Sequence, residues 1–298
     1  MKLSGRREST NVDDRRGKSG LVKGGIIGII MAVVAALGIN FSGILKGDFS
    51  SLQNVDLSKA KEVIENVRNG GGSTTEYKPT AQEQELAKFA KQVLAGTEDV
   101  WTAIFKKMGK TYKAPKLVLF TGSVQSGCGG ATSQTGPFYC SADQSVYLDL
   151  SFFSEMKKTL GADGDFAYAY VIAHEVGHHV QYLLGDLQRA HNRMSQVSQK
   201  ESNQISVRLE LQADFYAGVW AYNDNQMFKS LEEGDIEKGL NCASKIGDDY
   251  LQKKGQGYAA PETFNHGTSA QRSKWLKYGA STGDITKGDT FSPAYSAL

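Results

Sequence analysis

Histidine, cysteine and net charge are all scarce in this chain. It holds five histidines and three cysteines in 298 residues, with a formal net charge of +2. Its basic residues are spread along the chain, so no nucleic-acid footprint is present and no nucleic-acid partner is predicted. Cys128, Cys140 and Cys242 match none of the paired spacings of zinc fingers, so any metal must be held by histidines and carboxylates. The 33 glycines follow no collagen-like period, and no repeat unit recurs. A hydrophobic fraction of 40% against 22% charged residues suffices for one sizeable core with appendages.

One long apolar run does occur. Residues 24–45, GGIIGIIMAVVAALGINFSGIL, carry no charge over 22 residues, enough helix to cross a hydrocarbon core of about 30 Å. Seven basic residues precede it, among them Arg6, Arg7 and Arg15, against only Glu8, Asp13 and Asp14. The positive-inside rule then predicts a single-pass cell-membrane protein. Residues 1–23 form a cytoplasmic basic segment, 24–45 an uncleaved transmembrane anchor, and the rest lies outside the cytoplasm. A cleaved signal peptide is the rival, with a shorter apolar core and a small-residue cleavage site. Residues 46–80 read as a flexible linker ending in GGGSTT, 81–280 as the folded domain, and 281–298 as a loosely ordered tail. In an oxidising compartment a Cys128–Cys140 disulfide closes the Gly/Ser/Thr-rich stretch SGCGGATSQTGPFYC, two free thiols being the alternative. Cys242 reads as a small buried residue.

Within the domain, TAQEQELAKFAKQVLAG predicts an amphipathic helix ending at Gly96, and Thr97 opens a second. KLVLFTG and SVYLDLSFF read as strands. A long helix follows, capped by Asp163 or Asp165 and ended by Gly185, and a second covers roughly 201–222. Strands first and helices afterwards predict an α+β fold.

Three of the five histidines fall within VIAHEVGHHVQ, Val171 to Gln181. At about 100° per residue, His174 and His178 lie about 40° apart and one turn along, so both reach a single ion. His179 lies about 140° away and is left to a structural hydrogen bond. Glu175 flanks the site, placed to take a proton from an attacking water. Buried among Val171, Ile172, Ala173, Val176 and Val180, these polar groups would be costly unless ligated or paired. Catalytic zinc takes three protein ligands. Downstream, RLELQADFYAG offers Glu210 as the third, and Asp214 one turn on accepts a hydrogen bond from the free ring nitrogen of a liganded histidine. Small residues Ala213, Ala217 and Gly218 let this helix approach the first. In NHGTSAQRSKWLKYG, Thr268 and Gln271 form a capping box for a short helix terminated by Gly279. His266 precedes that helix, either as an oxyanion stabiliser or as a surface-loop histidine. Arg272 pairs with a carboxylate, Asp214 being one candidate.

The blocks NVDDRRG, SGCGGA, GPFYC, VYLDLSFF, HEVGHHVQ, ELQADFYAG, IGDDYLQ and HGTSAQR run over nearly the whole chain. Through them it resembles the bacterial family of neutral zinc metallopeptidases that carry an N-terminal membrane segment. Ser141, Asn265 and Tyr250 depart from the expected proline, threonine and arginine without touching a candidate ligand. The resemblance implies a zincin-like domain: a small sheet, an active-site helix and a second ligand helix behind the transmembrane helix. It implies one Zn2+ per chain on His174, His178 and Glu210, Glu175 as catalytic base, and a substrate-holding strand at Val146, Tyr147 and Leu148. The expected function is a membrane-anchored peptidase acting on peptides or proteins. A zinc-stabilised scaffold and a zinc amidase acting on cell-wall peptides remain the alternatives.

Overall fold

In the computed structural model, residues 1–17 and 77–298 are described. Met1–Arg15 and Pro79–Leu298 form one compact unit, and Arg16–Lys78 count as a separate one. The first helix, α1 (Ala81–Lys107), starts at a capping box. The Thr80 hydroxyl accepts from the Glu83 amide at 3.2 Å, and the Glu83 carboxylate accepts from the Thr80 amide at 2.8 Å. The helix expected to break at Gly96 runs straight through it. A Cβ there would lie 2.7 Å from both Arg6 Nη2 and Asp224 Oδ1, so the glycine serves a close approach and not a stop. Thr97 opens no new helix, because its hydroxyl donates back to the Leu94 carbonyl at 2.7 Å.

The described residues contain six strands: β1 (Val12–Asp14), β2 (Lys116–Phe120), β3 (Ser123–Ser126), β4 (Gly129–Thr132), β5 (Phe138–Cys140) and β6 (Ser145–Asp149). Four of them form a sheet in the order β1-β2-β6-β5, and β3 and β4 form a separate antiparallel hairpin. β2 pairs parallel with both β1 and β6, and β5 pairs antiparallel with β6. Val118, Phe120, Val124, Cys140 and Tyr147 form a small cluster between sheet and hairpin. A disulfide joins Cys128 to Cys140 and so ties the hairpin to β5.

This order corrects the expectation for Val146, Tyr147 and Leu148. They lie in β6, whose five residues are all buried and all pair with β2, while Ser145, Val146 and Tyr147 also pair with β5 on the other side. A buried parallel pairing wants a continuous apolar run, which is what VYL supplies. Val146 and Tyr147 therefore have no free edge for a peptide, and Leu148 lies just past the end of the β5 pairing. The free edge of the sheet on this side belongs to β5.

The helices come after: α2 (Ser151–Glu155), a π-helical turn over Met156–Leu160, α3 (Asp165–Leu184), α4 (Asp186–Met194), α5 (Gln199–Phe228), α6 (Asp235–Lys245), α7 (Asp248–Gln256) and α8 (Ser269–Thr282). Gly164, not an aspartate, occupies the cap of α3, and Gly185 ends it at φ 81°. The α+β class with a small sheet is as expected. α3, α5 and α8 stack closely because glycine stands where backbones meet. A Cβ on Gly177 of α3 would lie 2.9 Å from the Ala213 carbonyl oxygen of α5. Gly218 of α5 and Gly279 of α8 face each other's helices in the same way, so Gly218 serves α8 and not α3. Gly279 therefore lies inside α8, which ends instead at Gly283 in the left-handed region.

The transmembrane arrangement is overturned. No helix among the described residues is long and apolar enough to cross a membrane. The stretch 24–45 itself lies outside the described residues. What decides the topology is the segment before it. Val12, Asp13 and Asp14 pair in register with Leu117, Val118 and Leu119. Arg6 holds Asp224 through two hydrogen bonds of 2.8 and 2.7 Å, and Gln92 donates to the Leu3 carbonyl at 3.1 Å. One crossing between residues 15 and 79 would put two strands of a single sheet on opposite sides of a bilayer. The basic residues taken as a topology signal have partners inside the fold: Arg6 with Asp224, Arg7 with Glu98 and Asp99, and Arg15 with Asp13. A single-pass cell-membrane location with a cytoplasmic N-terminus is thereby corrected.

The C-terminal segment 281–298 is fastened to α5. Arg208 donates to the Thr290 carbonyl, the Thr290 hydroxyl donates to the Arg208 carbonyl at 2.7 Å, and Leu298 is buried.

Candidate metal centre

The 3.6-residue period of α3 stacks the imidazoles of His174 and His178 one turn apart, with ring centroids 4.8 Å from each other. α5 crosses at the Gly177–Ala213 contact and brings Glu210 to the same point. Glu210 Oε2 lies 3.1 Å from His174 Nε2, and Oε1 lies 3.4 Å from His178 Nε2. The three donor atoms lie within 4.8 Å of one another. Each imidazole has its other nitrogen occupied: His174 Nδ1 meets Asp214 Oδ1 at 2.8 Å, and His178 Nδ1 meets Gln181 Oε1 at 2.9 Å. Both partners accept, so each ring carries a proton on Nδ1 and turns Nε2, the atom a metal would take in place of a proton, toward Glu210. Two imidazole nitrogens and a carboxylate are a donor set that suits zinc, and His178 and Glu210 are only partly buried, so one side stays open to the cleft.

Behind His174 stands a buried polar network. Asp214 Oδ1 accepts from the Tyr170 hydroxyl at 2.6 Å as well as from His174. Arg272 of α8 donates from Nε to Asp214 Oδ2 at 2.9 Å and from Nη2 to Oδ1 at 3.0 Å. Burial works to raise the Asp214 carboxyl, but the Arg272 charge and His174 outweigh it and hold the group below its ordinary range. Asp214 is thus an anion. His179, by contrast, lies outside the centre. Its Nε2 donates to the Lys113 carbonyl at 2.7 Å and its Nδ1 accepts from the Tyr139 hydroxyl at 2.9 Å. Burial depresses it to about 4, so it is a neutral structural histidine.

Glu175 is buried, and burial raises its carboxyl above the ordinary value against the opposing charges of His174 and His178. It lines the same cleft of about 430 Å³ as His174, His178, Glu210, His266 and Arg272. Phe138, Phe152, Val171, Ile246 and Leu251 supply apolar walls. Thr135, Gly136 and Phe152 are shared with a second depression of about 650 Å³, so the cleft extends beyond that wall toward α2 and the π-helical turn. His266 reaches it from a loop built around Asp248. One oxygen of Asp248 accepts from the amides of Asn265, His266 and Gly267 at 2.8, 2.7 and 3.0 Å, and the other meets His266 Nδ1 at 3.0 Å.

The chain matches, over residues 1–291, the family described as "Putative neutral zinc metallopeptidase". It belongs to that family. The Escherichia coli (strain K12) "Uncharacterized protein YpfJ" is 46% identical to this zinc-metallopeptidase family member over 304 residues, covering 98% of this chain and 99% of the relative. The Mycobacterium tuberculosis (strain H37Rv) "Uncharacterized protein Rv2575" is 41% identical over 217 residues, covering 70% and 72%. No solved structure matches the chain.

Several side chains that shape this candidate centre carry no clear signal in the sequence: Tyr170, Gln181, Gln212 and Asp248. Asp248 had only a weak local one, an acidic residue at the start of a helix in GDDY. Gln181 and Gln212 had none, since an apolar-flanked glutamine announces no partner. β5 was quoted within GPFYC, but three residues carry too little alternation to declare an edge strand.

Proposed function

We propose that the cleft is the active site of a zinc peptidase that hydrolyses bonds in extended polypeptide. His174, His178 and Glu210 hold the single metal ion, and Glu175 is the general base. The observation that carries this reading is the convergence of two imidazole Nε2 atoms and one carboxylate within 3.4 Å, each imidazole held from behind by an acceptor. Zinc held there supplies Lewis acidity to water and to a peptide carbonyl.

The chain's own groups account for the remaining steps. Glu175, with its proton affinity raised by burial, takes a proton from the attacking water and delivers it to the leaving amine. The hydrogen bond to Asp248 favours the protonated form of His266, which donates toward the oxygen on which charge develops. The substrate backbone lies along the free edge of β5, Phe138–Cys140, where main-chain hydrogen bonds give affinity with little sequence demand. The apolar walls favour a bulky apolar side chain beside the cut. A cleft that extends into a second depression has room for several residues of chain, which favours an endopeptidase.

The test uses the full chain loaded with zinc beside Glu175→Gln. Both are incubated with an unfolded protein and, separately, with cell-wall peptides, and products are followed by mass spectrometry. Protein cleavage by the parent alone supports the reading. Cleavage of only the cell-wall peptides replaces it with an amidase. Bound zinc with no products in either assay replaces it with a scaffold role.

A further inference from the structure

The two histidines of the centre are backed differently. His174 faces a carboxylate clamped by an arginine, whereas His178 faces a neutral amide, Gln181 Oε1, at 2.9 Å. Gln181 is fully buried, three residues along α3. Its Nε2 donates to the Leu209 carbonyl at 2.7 Å and to Gln212 Oε1 at 3.0 Å. The Leu209 oxygen can only accept, so the NH2 end of the amide must face α5 and the oxygen must face His178. That oxygen also only accepts, so His178 must carry its proton on Nδ1. In the neutral ring the lone pair is then left on Nε2, the atom 3.4 Å from Glu210 Oε1.

Gln212 is oriented in turn. Its Nε2 donates to the Gly288 carbonyl at 3.0 Å, which reserves its oxygen for Gln181. A chain of three hydrogen bonds therefore runs from the C-terminal segment, through two glutamines on α5 and α3, to the ring of His178. Every polar atom of the Gln181 amide has a partner, and reversing either amide would set two donors or two acceptors against each other in a site without exposure.

We propose that Gln181, oriented by Leu209 and Gln212, is a positioning residue that fixes His178 in the Nδ1–H tautomer and so offers Nε2 to the metal. The proposal rests on the reading of His178 as a ligand, but its orienting step exists without metal. The two can therefore be tested apart.

The experiment is nitrogen-15 NMR of the imidazole rings in the metal-free full chain at alkaline pH, in parent and Gln181→Met, followed by zinc affinity of both from competition with a chelator. Five histidines make the assignment tractable. The expected result is a His178 Nδ1–H tautomer in the parent, appearance of the Nε2–H form in Gln181→Met with His174 unchanged, and zinc affinity lowered about 10- to 100-fold. A His178 that keeps the Nδ1–H form in Gln181→Met overturns the proposal. So does an Nε2–H His178 in the parent, a result that needs no variant to fold. If the tautomer responds but neither protein binds zinc, the positioning stands and the metal reading of the centre fails instead. A general packing defect would lower stability without selecting one tautomer of one ring.

Discussion

Arg272 holds Asp214 by two hydrogen bonds of 2.9 and 3.0 Å across 58 residues of sequence, and Asp214 in turn receives His174 Nδ1 at 2.8 Å. Both members of the ion pair are buried, so each depends on the other for its charge. Arg272→Met should lower stability by about 3–5 kcal/mol in urea unfolding, because it leaves an uncompensated anion in the core. Asp214→Asn should cost a similar amount. The double variant should lose less than the two singles summed, since it leaves no lone charge. Strict additivity would mean the pair is not coupled.

Gly177 sets the distance between α3 and α5 at the level of the centre. Its missing Cβ would lie 2.9 Å from the Ala213 backbone oxygen, which cannot turn aside as a flexible side chain would. Gly177→Ala should therefore cost about 1–3 kcal/mol and move Glu210 off the two Nε2 atoms. Thermal unfolding and chelator competition for zinc should both register the change. A variant that keeps parental stability and zinc affinity would show that the helices slide apart freely.

The Cys128–Cys140 disulfide closes a short loop that joins the β3–β4 hairpin to β5. Cys128→Ser should lower stability by about 3 kcal/mol on the chain-entropy account. A reducing agent should do the same to the parent and nothing further to the variant. Because β5 lines the cleft, peptide KM should rise on reduction while zinc content stays constant.

The His266–Asp248 contact predicts the pH dependence of its loop. The hydrogen bond to Asp248 lifts His266 above its ordinary value, with burial and Arg272 opposing and Glu210 assisting. Burial would raise Asp248, but His266 and the backbone amides hold it below the usual carboxylate range. A raised histidine stabilises the fold fully below about pH 6.5 and loses that contribution as pH climbs through its folded value. A depressed aspartate contributes above about pH 4 and loses it as pH falls through its own folded value. The contact is thus strongest between those limits. The Tm of the metal-free chain should decline from pH 6 toward pH 9, and Asp248→Asn should flatten that decline. An identical slope in both proteins would assign the pH effect elsewhere.

Much of this molecule follows from local rules. The i, i+4 spacing of His174 and His178 puts two imidazoles on one helical face, and the same spacing puts Glu210 and Asp214 on another. Thr268 with Gln271 starts α8, and Gly185 ends α3, because capping and the left-handed turn depend on a few adjacent residues. Local rules misled where a distant partner set the outcome. Gly96 reads as a helix stop until Arg6 and Asp224 are seen crossing above it. The family resemblance likewise implied a substrate-holding strand at Val146 to Leu148, and β5 is seen pairing with Val146 and Tyr147.

The N-terminal basic residues show the same division in its sharpest form. In sequence, Arg6, Arg7 and Arg15 before an uncharged run of 22 residues are a topology signal. In the fold they are ion-pair partners of a strand and helices, and β1 pairs in register with β2 across a hundred residues. The sequence by itself determined which side chains share a helical face and those helix ends, such as Thr268 with Gln271 and Gly185, that rest on local backbone geometry alone. Only the tertiary structure decided which strand is interior, what the N-terminal arginines meet, and which amide orients His178. Those outcomes depend on hydrogen-bond partners far along the chain, and a partner's identity leaves no trace in the residues beside it.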